Sequence, residues 1–199
     1  MTLLVHRMRA SAWLLLLSLL LLAAGARAQS RYMTREGVVT FFSSSPVEDI
    51  EARSQQTAAI LDLQTRQLAF TIPVKSFQFK RTLMQEHFNE NYLESDRYPK
   101  ATFTGKLTAV DAEALRNGGP QKVTAEGDLT IHGVTRHVQV PGTLELQNGR
   151  LVVHATFPVA PADYKIEIPA LVRDHIAKIV SVRVAMSCET AGLPAAARP

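Results

Sequence analysis

The chain has 199 residues, 46% of them hydrophobic, which is enough to bury a sizeable core in a single domain. Its one cysteine, Cys188, excludes an intramolecular disulfide. The formal charge of +4 falls to +1 without Arg7, Arg9 and Arg27, because 19 basic residues then face 18 acidic ones with both signs interspersed, and this balance excludes the clustered basic surface of a nucleic-acid-binding protein.

The N-terminus has the three parts of a secretory signal peptide. Basic residues at positions 6–9 precede a leucine-rich, uncharged run over 10–24, and residues 26–28 read Ala-Arg-Ala, a small-x-small cleavage site. We therefore expect residues 1–28 to be removed before Gln29 and the chain to be exported to the periplasm or secreted. The alternative, an uncleaved membrane anchor, is disfavoured because a spanning helix needs roughly 20 apolar residues.

The segment 29–190 shows the period-two alternation of apolar and polar residues that is typical of half-buried β-strands. Eight strands are predicted, over residues 38–43, 57–63, 68–74, 100–107, 122–131, 138–146, 151–157 and 179–188. His132-Gly133 and Asn148-Gly149 predict tight hairpin turns. Pro141 predicts a bend or a bulge in its strand, because proline cannot donate a hydrogen bond to a neighbouring strand.

Two segments interrupt the strand pattern. Residues 82–93 carry Met84 and Phe88 at helical spacing, which predicts a short helix. Residues 161–178 are interpreted as another short helix that covers one end of the fold. The tail at 191–199 is rich in alanine and proline and is expected to be disordered.

Eight consecutive antiparallel strands remove their exposed edges by closing on themselves. The predicted fold class is therefore all-β, a single antiparallel barrel with one or two short helices. A barrel of this size is either filled by its own side chains or holds one small ligand. Small residues on the predicted inner face would leave room for a ligand, namely Ala101, Gly105, Ala125, Gly127, Gly142 and Ala155. The open alternative is that large residues opposite them fill the space.

The sequence lacks the motifs of common catalytic sites, including the Gly-x-Ser-x-Gly elbow, the glycine-rich phosphate loop and His-Glu-x-x-His. Glu86, His87 and Glu90 come closest to a metal site, but Asn91 stands where an inverted zinc motif needs a second histidine. We therefore expect no enzyme activity, no metal and no cofactor. Cys188 is interpreted as a small buried hydrophobe and not as a nucleophile.

Three segments resemble the YceI-like polyisoprenoid-binding family. They are KRTLMQEHFNENY at 80–92, SDRYPKATF at 95–103 and GDLTIHGVT at 127–135. The Tyr-Pro step before a Thr-x-Phe strand and the Gly-Asp-Leu-Thr-x-His-Gly-Val-Thr hairpin are the specific features, and the resemblance covers nearly all of the chain after the signal peptide. It departs from the family at 35–39, where the usual His-x-Ser opening is absent, and in the helix, which reads Met-Gln-Glu-His-Phe where an Arg-Asp-x-His-Leu type is commoner.

This resemblance implies a periplasmic, lipocalin-like barrel with a long-chain isoprenoid threaded along its axis and no catalysis. The ligand would be the only bound group, and the residues expected to line its tunnel are Phe70, Ile72, Phe77, Phe79, Phe88, Phe103, Leu129, Ile131, Val138, Val140 and Phe157. Transient contact with a membrane or a membrane protein, and a homodimer, stay open. The alternative function is a filled barrel that acts as a protein-interaction module of the cell envelope through the surface at 86–98.

Overall fold

The computed structural model describes residues 31–108 and 110–191, so the predicted signal peptide and almost all of the C-terminal tail lie outside the described residues. The strands are β1 (Arg31–Ser44), β2 (Asp49–Asp62), β3 (Gln67–Pro73), β4 (Gln78–Phe79), β5 (Lys100–Leu107), β6 (Gln121–Ile131), β7 (Val134–Gln147), β8 (Arg150–Val159) and β9 (Val180–Thr190). The helices are α1 (Thr82–His87), a π-helical turn (Phe88–Tyr92), α2 (Ala112–Arg116) and 3₁₀ turns at Val74–Ser76, Pro161–Tyr164 and Ala170–His175.

Eight of these strands close into one antiparallel barrel. The sheet order is β1-β9-β8-β7-β6-β5-β3-β2, and pairing of β1 with β2 joins the two ends. The two-residue strand β4 pairs with β2 and lies outside this circuit. The predicted all-β, eight-stranded antiparallel barrel is therefore confirmed.

Strands β1 and β2 begin earlier than the sequence pattern predicts. In β1 the register against β2 shifts on both sides of Gly37, and such a bulge interrupts the alternation by which a strand is identified. In the first half of β2 the buried positions are Ala52 and Ser54, whose small side chains carry little apolar signal. For these local reasons the sequence pattern predicts both strands shorter than they are.

The barrel has two different ends. One end, which we name the mouth end, carries the β1–β2 hairpin, α1, the β6–β7 turn and the segment 160–179 between β8 and β9. The other, which we name the closed end, carries the β2–β3 turn, the β7–β8 turn and α2. Among the described helices, none is long and apolar enough to cross a lipid bilayer.

Helix α2 at the closed end was not predicted. The carboxylate of Asp111 caps it by accepting hydrogen bonds from the backbone N–H groups of Glu113 (2.9 Å) and Ala114 (3.0 Å). Leu115 points into the barrel and is fully buried. Five residues are too few to show a helical period, so the cap was the one available signal.

The two segments that interrupt the strands are both at the mouth end. The helix predicted at 82–93 is present as α1 followed by the π-helical turn. The segment 161–178 forms two 3₁₀ turns instead of the expected helix. Pro169 explains this difference, because it disfavours the helical conformation at Ile168 and so interrupts the segment.

Both predicted hairpin turns have the expected geometry. His132 and Gly133 have φ of 50° and 72°, and Asn148 and Gly149 have φ of 50° and 78°, as a type I′ turn requires. Of the bend or bulge predicted at Pro141, the bulge is absent from the pairing with β6. Pro141 stays in register with β6, and the pairing of β7 with β8 begins only after it, at residue 142.

The β6–β7 turn packs against the Tyr-Pro step that precedes β5. The rings of Tyr98 and His132 form an edge-to-face pair with centroids 4.6 Å apart. A Cβ atom at Gly133 would lie 2.4 Å from Cε1 of Tyr98, whereas a Cβ at Gly149 would meet nothing within 4 Å. The two sequence motifs that carry the resemblance therefore meet in space at the mouth end.

We expect Gly133→Ala to destabilise the protein by about 2 kcal/mol, and Gly149→Ala by about 1 kcal/mol. Both substitutions place a side chain at positive φ, but only the first also meets a ring. Urea denaturation of the two variants measures the difference. Equal losses of stability would show that the contact between Gly133 and Tyr98 is unimportant.

Candidate functional site

The closed end of the barrel is sealed by apolar side chains. Leu61, Leu144, Leu151 and Cys188 are fully buried there, together with Leu115 of α2. Burial raises the pKa of the Cys188 thiol to about 11. Cys188 therefore has the environment of a buried hydrophobe, as expected, and is poorly placed to act as a thiolate nucleophile.

Above this seal the barrel holds a cavity of ≈ 300 Å³. Its inner part is bounded by buried leucines, among them Leu68 and Leu107, whereas lining residues at the mouth end such as Ile50, Met84 and Ile176 are half-buried. The cavity therefore opens at the mouth end. The barrel interior is not completely filled by its own side chains, which is the condition that the ligand hypothesis needs.

Ten of the eleven predicted tunnel residues line this cavity. They are Phe70, Ile72, Phe77, Phe79, Phe88, Phe103, Leu129, Ile131, Val140 and Phe157. Val138 does not line it, although it has the inward parity of Val140. It lies in the part of β7 that is not paired with β8, and it packs, half-buried, against the main core.

A cluster of four phenylalanines forms the wall of the cavity near the mouth. Phe41 of β1 lies 5.3 Å from Phe77, 5.6 Å from Phe79 and 5.4 Å from Phe88, measured between ring centroids. Phe79 and Phe88 are 4.9 Å apart. Phe41 was not among the predicted site residues, because the bulge at Gly37 obscures which face of β1 points inward.

Two of the small inward residues do not make room for a ligand. Gly105 and Gly127 pair directly across β5 and β6. A Cβ at Gly105 would lie 2.3 Å from the backbone O of Glu126, and a Cβ at Gly127 would lie 2.3 Å from the backbone O of Thr104. These glycines allow the two strands to approach each other closely. The predicted small residues that do border the cavity are Ala101, Ala125, Gly142 and Ala155.

One polar atom stands out in this apolar lining. Thr57 of β2 borders the cavity, is only 2% exposed, and its Oγ1 has no hydrogen-bond partner. The other buried hydroxyl at the cavity, Ser43 Oγ, accepts a hydrogen bond from the backbone N–H of Ala177 at 2.9 Å. A buried hydroxyl without a partner is costly.

We expect Thr57→Val to stabilise the ligand-free protein by about 1 kcal/mol. Valine has nearly the same shape, so the substitution removes the unpartnered hydroxyl and leaves the packing unchanged. Thermal denaturation of the delipidated protein tests this expectation. A loss of stability would mean that the hydroxyl is hydrogen-bonded, for example to a buried water.

Glu48 in the β1–β2 hairpin connects the elements that surround the mouth. Its carboxylate forms an ion pair with the guanidinium of Arg81, beside α1, and lies 4.0 Å from Nδ1 of His175 in the segment 160–179. The hydrogen bond from Ala177 to Ser43 ties the same segment to β1. These polar contacts join the segment to the β1 side of the barrel at the mouth end.

The histidines are dispersed. His132 Nδ1 lies 3.2 Å from the backbone O of Tyr164. His137 is on the outer face between Asp128 and Glu126. Its hydrogen bond with Asp128, and to a smaller extent its hydrogen bond with Glu126, raises the pKa of the imidazole. In the described part of the chain no three His, Cys, Asp or Glu side chains are grouped so that they could hold a metal ion.

The fold has relatives among solved structures. The chain is similar to a polyisoprenoid binding domain from Saccharophagus degradans implicated in plant cell wall breakdown, with 19% identity, a TM-score of 0.69 and coverage of 81% of this chain and 98% of that one. It is also similar to BcnA of Burkholderia cenocepacia, with 18% identity, a TM-score of 0.65 and coverage of 77% and 96%. At these identities the likeness establishes the fold alone.

Sequence comparison is more specific. A search of curated proteins finds no match to the chain. The family model of the YceI-like domain, however, matches residues 31–188, which is most of the chain and includes the eight barrel strands except the last two residues of β9. The resemblance seen in the sequence is thereby confirmed, and the chain belongs to the YceI-like family.

Proposed function

We propose that this protein binds one long-chain isoprenoid, or a similar apolar lipid, inside its barrel and carries or sequesters it in the periplasm or outside the cell. The observation that supports this proposal most strongly is the cavity, whose wall is formed by aliphatic and aromatic side chains from all eight barrel strands. One of the similar solved structures is described as a polyisoprenoid binding domain, which agrees with this ligand class.

The small volume of the cavity favours a narrow, flexible ligand. Its volume of ≈ 300 Å³ is at the lower limit of ordinary ligand pockets, which span roughly 300–1,000 Å³. A single chain fits such a space better than a bulky fused-ring molecule does. Each buried methylene-sized group contributes about 0.8 kcal/mol, so even part of a long chain would bind tightly, with the remainder extending through the mouth.

The same lining supports binding without catalysis. Among the described residues, the buried hydroxyls at the cavity are those of Thr57, whose Oγ1 has no hydrogen-bond partner, and Ser43, whose Oγ accepts from the backbone N–H of Ala177, so neither is seen paired with a basic side chain. An apolar chain inside this cavity meets mainly hydrocarbon. We therefore propose a carrier and not an enzyme.

Native mass spectrometry tests the proposal. The purified protein is delipidated and incubated with polyprenols of increasing length and, as a control, with a sterol of similar hydrophobicity. We expect one polyprenol per chain and weak sterol binding. If the protein binds none of the polyprenols and extracts nothing from membranes, the proposed function is wrong.

A further inference from the structure

Four exposed aliphatic side chains lie at the mouth end of the barrel. Leu171 is 92% exposed, Leu83 and Ile179 are each 62% exposed, and Val47 is 56% exposed. Leu171 and Ile179 belong to the segment 160–179, in its second 3₁₀ turn and at its last position before β9, Leu83 belongs to α1, and Val47 belongs to the β1–β2 hairpin. We name these four residues the apolar rim.

The apolar rim is continuous with the cavity. Leu83 is followed by Met84, and Ile179 is followed by Val180, and both of these neighbours line the cavity. The tips of the closed end are different: exposed residues there include Gln64, Arg66, Asn148 and Gly149. Apolar surface therefore extends from the cavity to the solvent at the mouth end.

We propose that the apolar rim docks on the surface of a lipid bilayer, with its side chains inserted at the acyl boundary and the mouth facing the membrane. This inference rests on the proposed function, because a ligand of that class resides in bilayers and has a long tail that is insoluble in water. A docked mouth lets the tail pass between bilayer and barrel without exposure to water. The protrusion of separate side chains from α1, the β1–β2 hairpin and the segment 160–179 suits insertion into a fluid phase.

The charges around the rim indicate how the docking is driven. The cations Lys80 and Lys178 are exposed beside Leu83 and Ile179, and Glu86 and Asp174 are exposed on the same two elements as Leu83 and Leu171. Both signs are thus present, as along the rest of the chain. Docking therefore depends on apolar insertion, needs no anionic lipid and is weakly sensitive to salt.

Flotation with vesicles of pure phosphatidylcholine tests the proposal. The test uses protein purified after export, with its N-terminus determined by mass spectrometry, and compares it with the variant Leu83→Gln/Leu171→Gln/Ile179→Gln. Glutamine leaves the net charge unchanged. We expect the wild-type protein to float with the vesicles and the triple variant to bind about a thousandfold more weakly, since each of the three aliphatic side chains is worth about tenfold.

The closed end supplies a matched control. Met33 and Ile60 pair across β1 and β2 there and are 37% and 44% exposed, so Met33→Gln/Ile60→Gln removes exposed apolar surface from the other end. This variant should float like the wild type. Equal losses in both variants, flotation abolished by 0.5 M salt, or no flotation of the wild type would overturn the docking proposal. If the wild type does not float, a protein instead of a bilayer is indicated as the partner of the apolar rim.

An assay in which polyprenol is delivered in detergent distinguishes a failure of the docking proposal from a failure of the proposed binding function. The triple variant should still bind polyprenol delivered in detergent, measured by native mass spectrometry, which also shows that it is folded. Its uptake of polyprenol from vesicles should fall with its flotation. Normal uptake from vesicles by the triple variant would overturn docking while the binding function stands. Failure of every variant to load from detergent would contradict the binding function instead.

Discussion

Replacing Gly127 with alanine should destabilise the barrel by about 3 kcal/mol or more, the largest loss expected from a single methyl group in this protein. The new Cβ would lie 2.3 Å from the backbone O of Thr104 and 2.5 Å from Cα of Gly105. Both contacts are with backbone atoms of the paired strand, so no side-chain rotation can relieve them. Strands β5 and β6 would have to separate at this point. Chemical denaturation measures the loss.

Two further variants show whether strand approach is the cause. Gly105→Ala should cost a similar amount, and the double variant should cost less than the sum, because one separation of β5 and β6 relieves both clashes. Thr104→Ala, at an exposed neighbouring position, should change stability by less than about 0.5 kcal/mol. Full additivity of the two glycine variants would contradict the explanation.

Ala125→Phe should weaken isoprenoid binding at least about tenfold, because a phenyl ring inside the cavity displaces two or more methylene-sized groups of the ligand. Ala125 borders the cavity and is half-buried. The fold should remain intact, because filling an apolar cavity adds buried surface and commonly stabilises a protein. Adding Ala155→Phe on β8, which also borders the cavity, should abolish binding. Titration with a fluorescent polyprenol measures both effects.

The control places the same residue on the outside of the barrel. Ala69 lies on β3 between Leu68 and Phe70, which line the cavity, so its own side chain points outward. Ala69→Phe should leave binding unchanged within about twofold. If Ala125→Phe binds polyprenol as the wild type does while remaining folded, the ligand does not occupy the cavity.

The sequence was sufficient for the barrel because its signals are local. Alternation at 100–107 and 122–131, with turn residues such as Asn148-Gly149, predicts both the strands and which side chains face inward. For this reason Phe103 and Leu129 could be assigned to the interior. Where the chain departs from the regular strand, at the bulge beside Gly37, the assignment failed, and Phe41 was missed.

Other differences depend on packing between strands, which one sequence does not reveal. In the sequence, a small inward residue suggests empty space beside it. The space beside Gly105 and Gly127 is occupied by the backbone of the paired strand, whereas Ala125 borders the cavity. Val138 has the inward parity, but the loss of pairing with β8 before Gly142 moves it away from the cavity. Thr57 carries no signal in sequence, because only the structure shows that its hydroxyl is buried without a partner.

Photo-crosslinking tests the central claim, that the ligand lies inside the barrel, most directly. A long-chain isoprenoid carrying a diazirine is loaded, irradiated, and its attachment sites are mapped by peptide mass spectrometry. We predict labels at inward positions such as Phe103 and Leu129 and none at their outward neighbours Thr104 and Asp128. Labels on both faces of these strands, or on the outer face alone, would contradict binding in the interior.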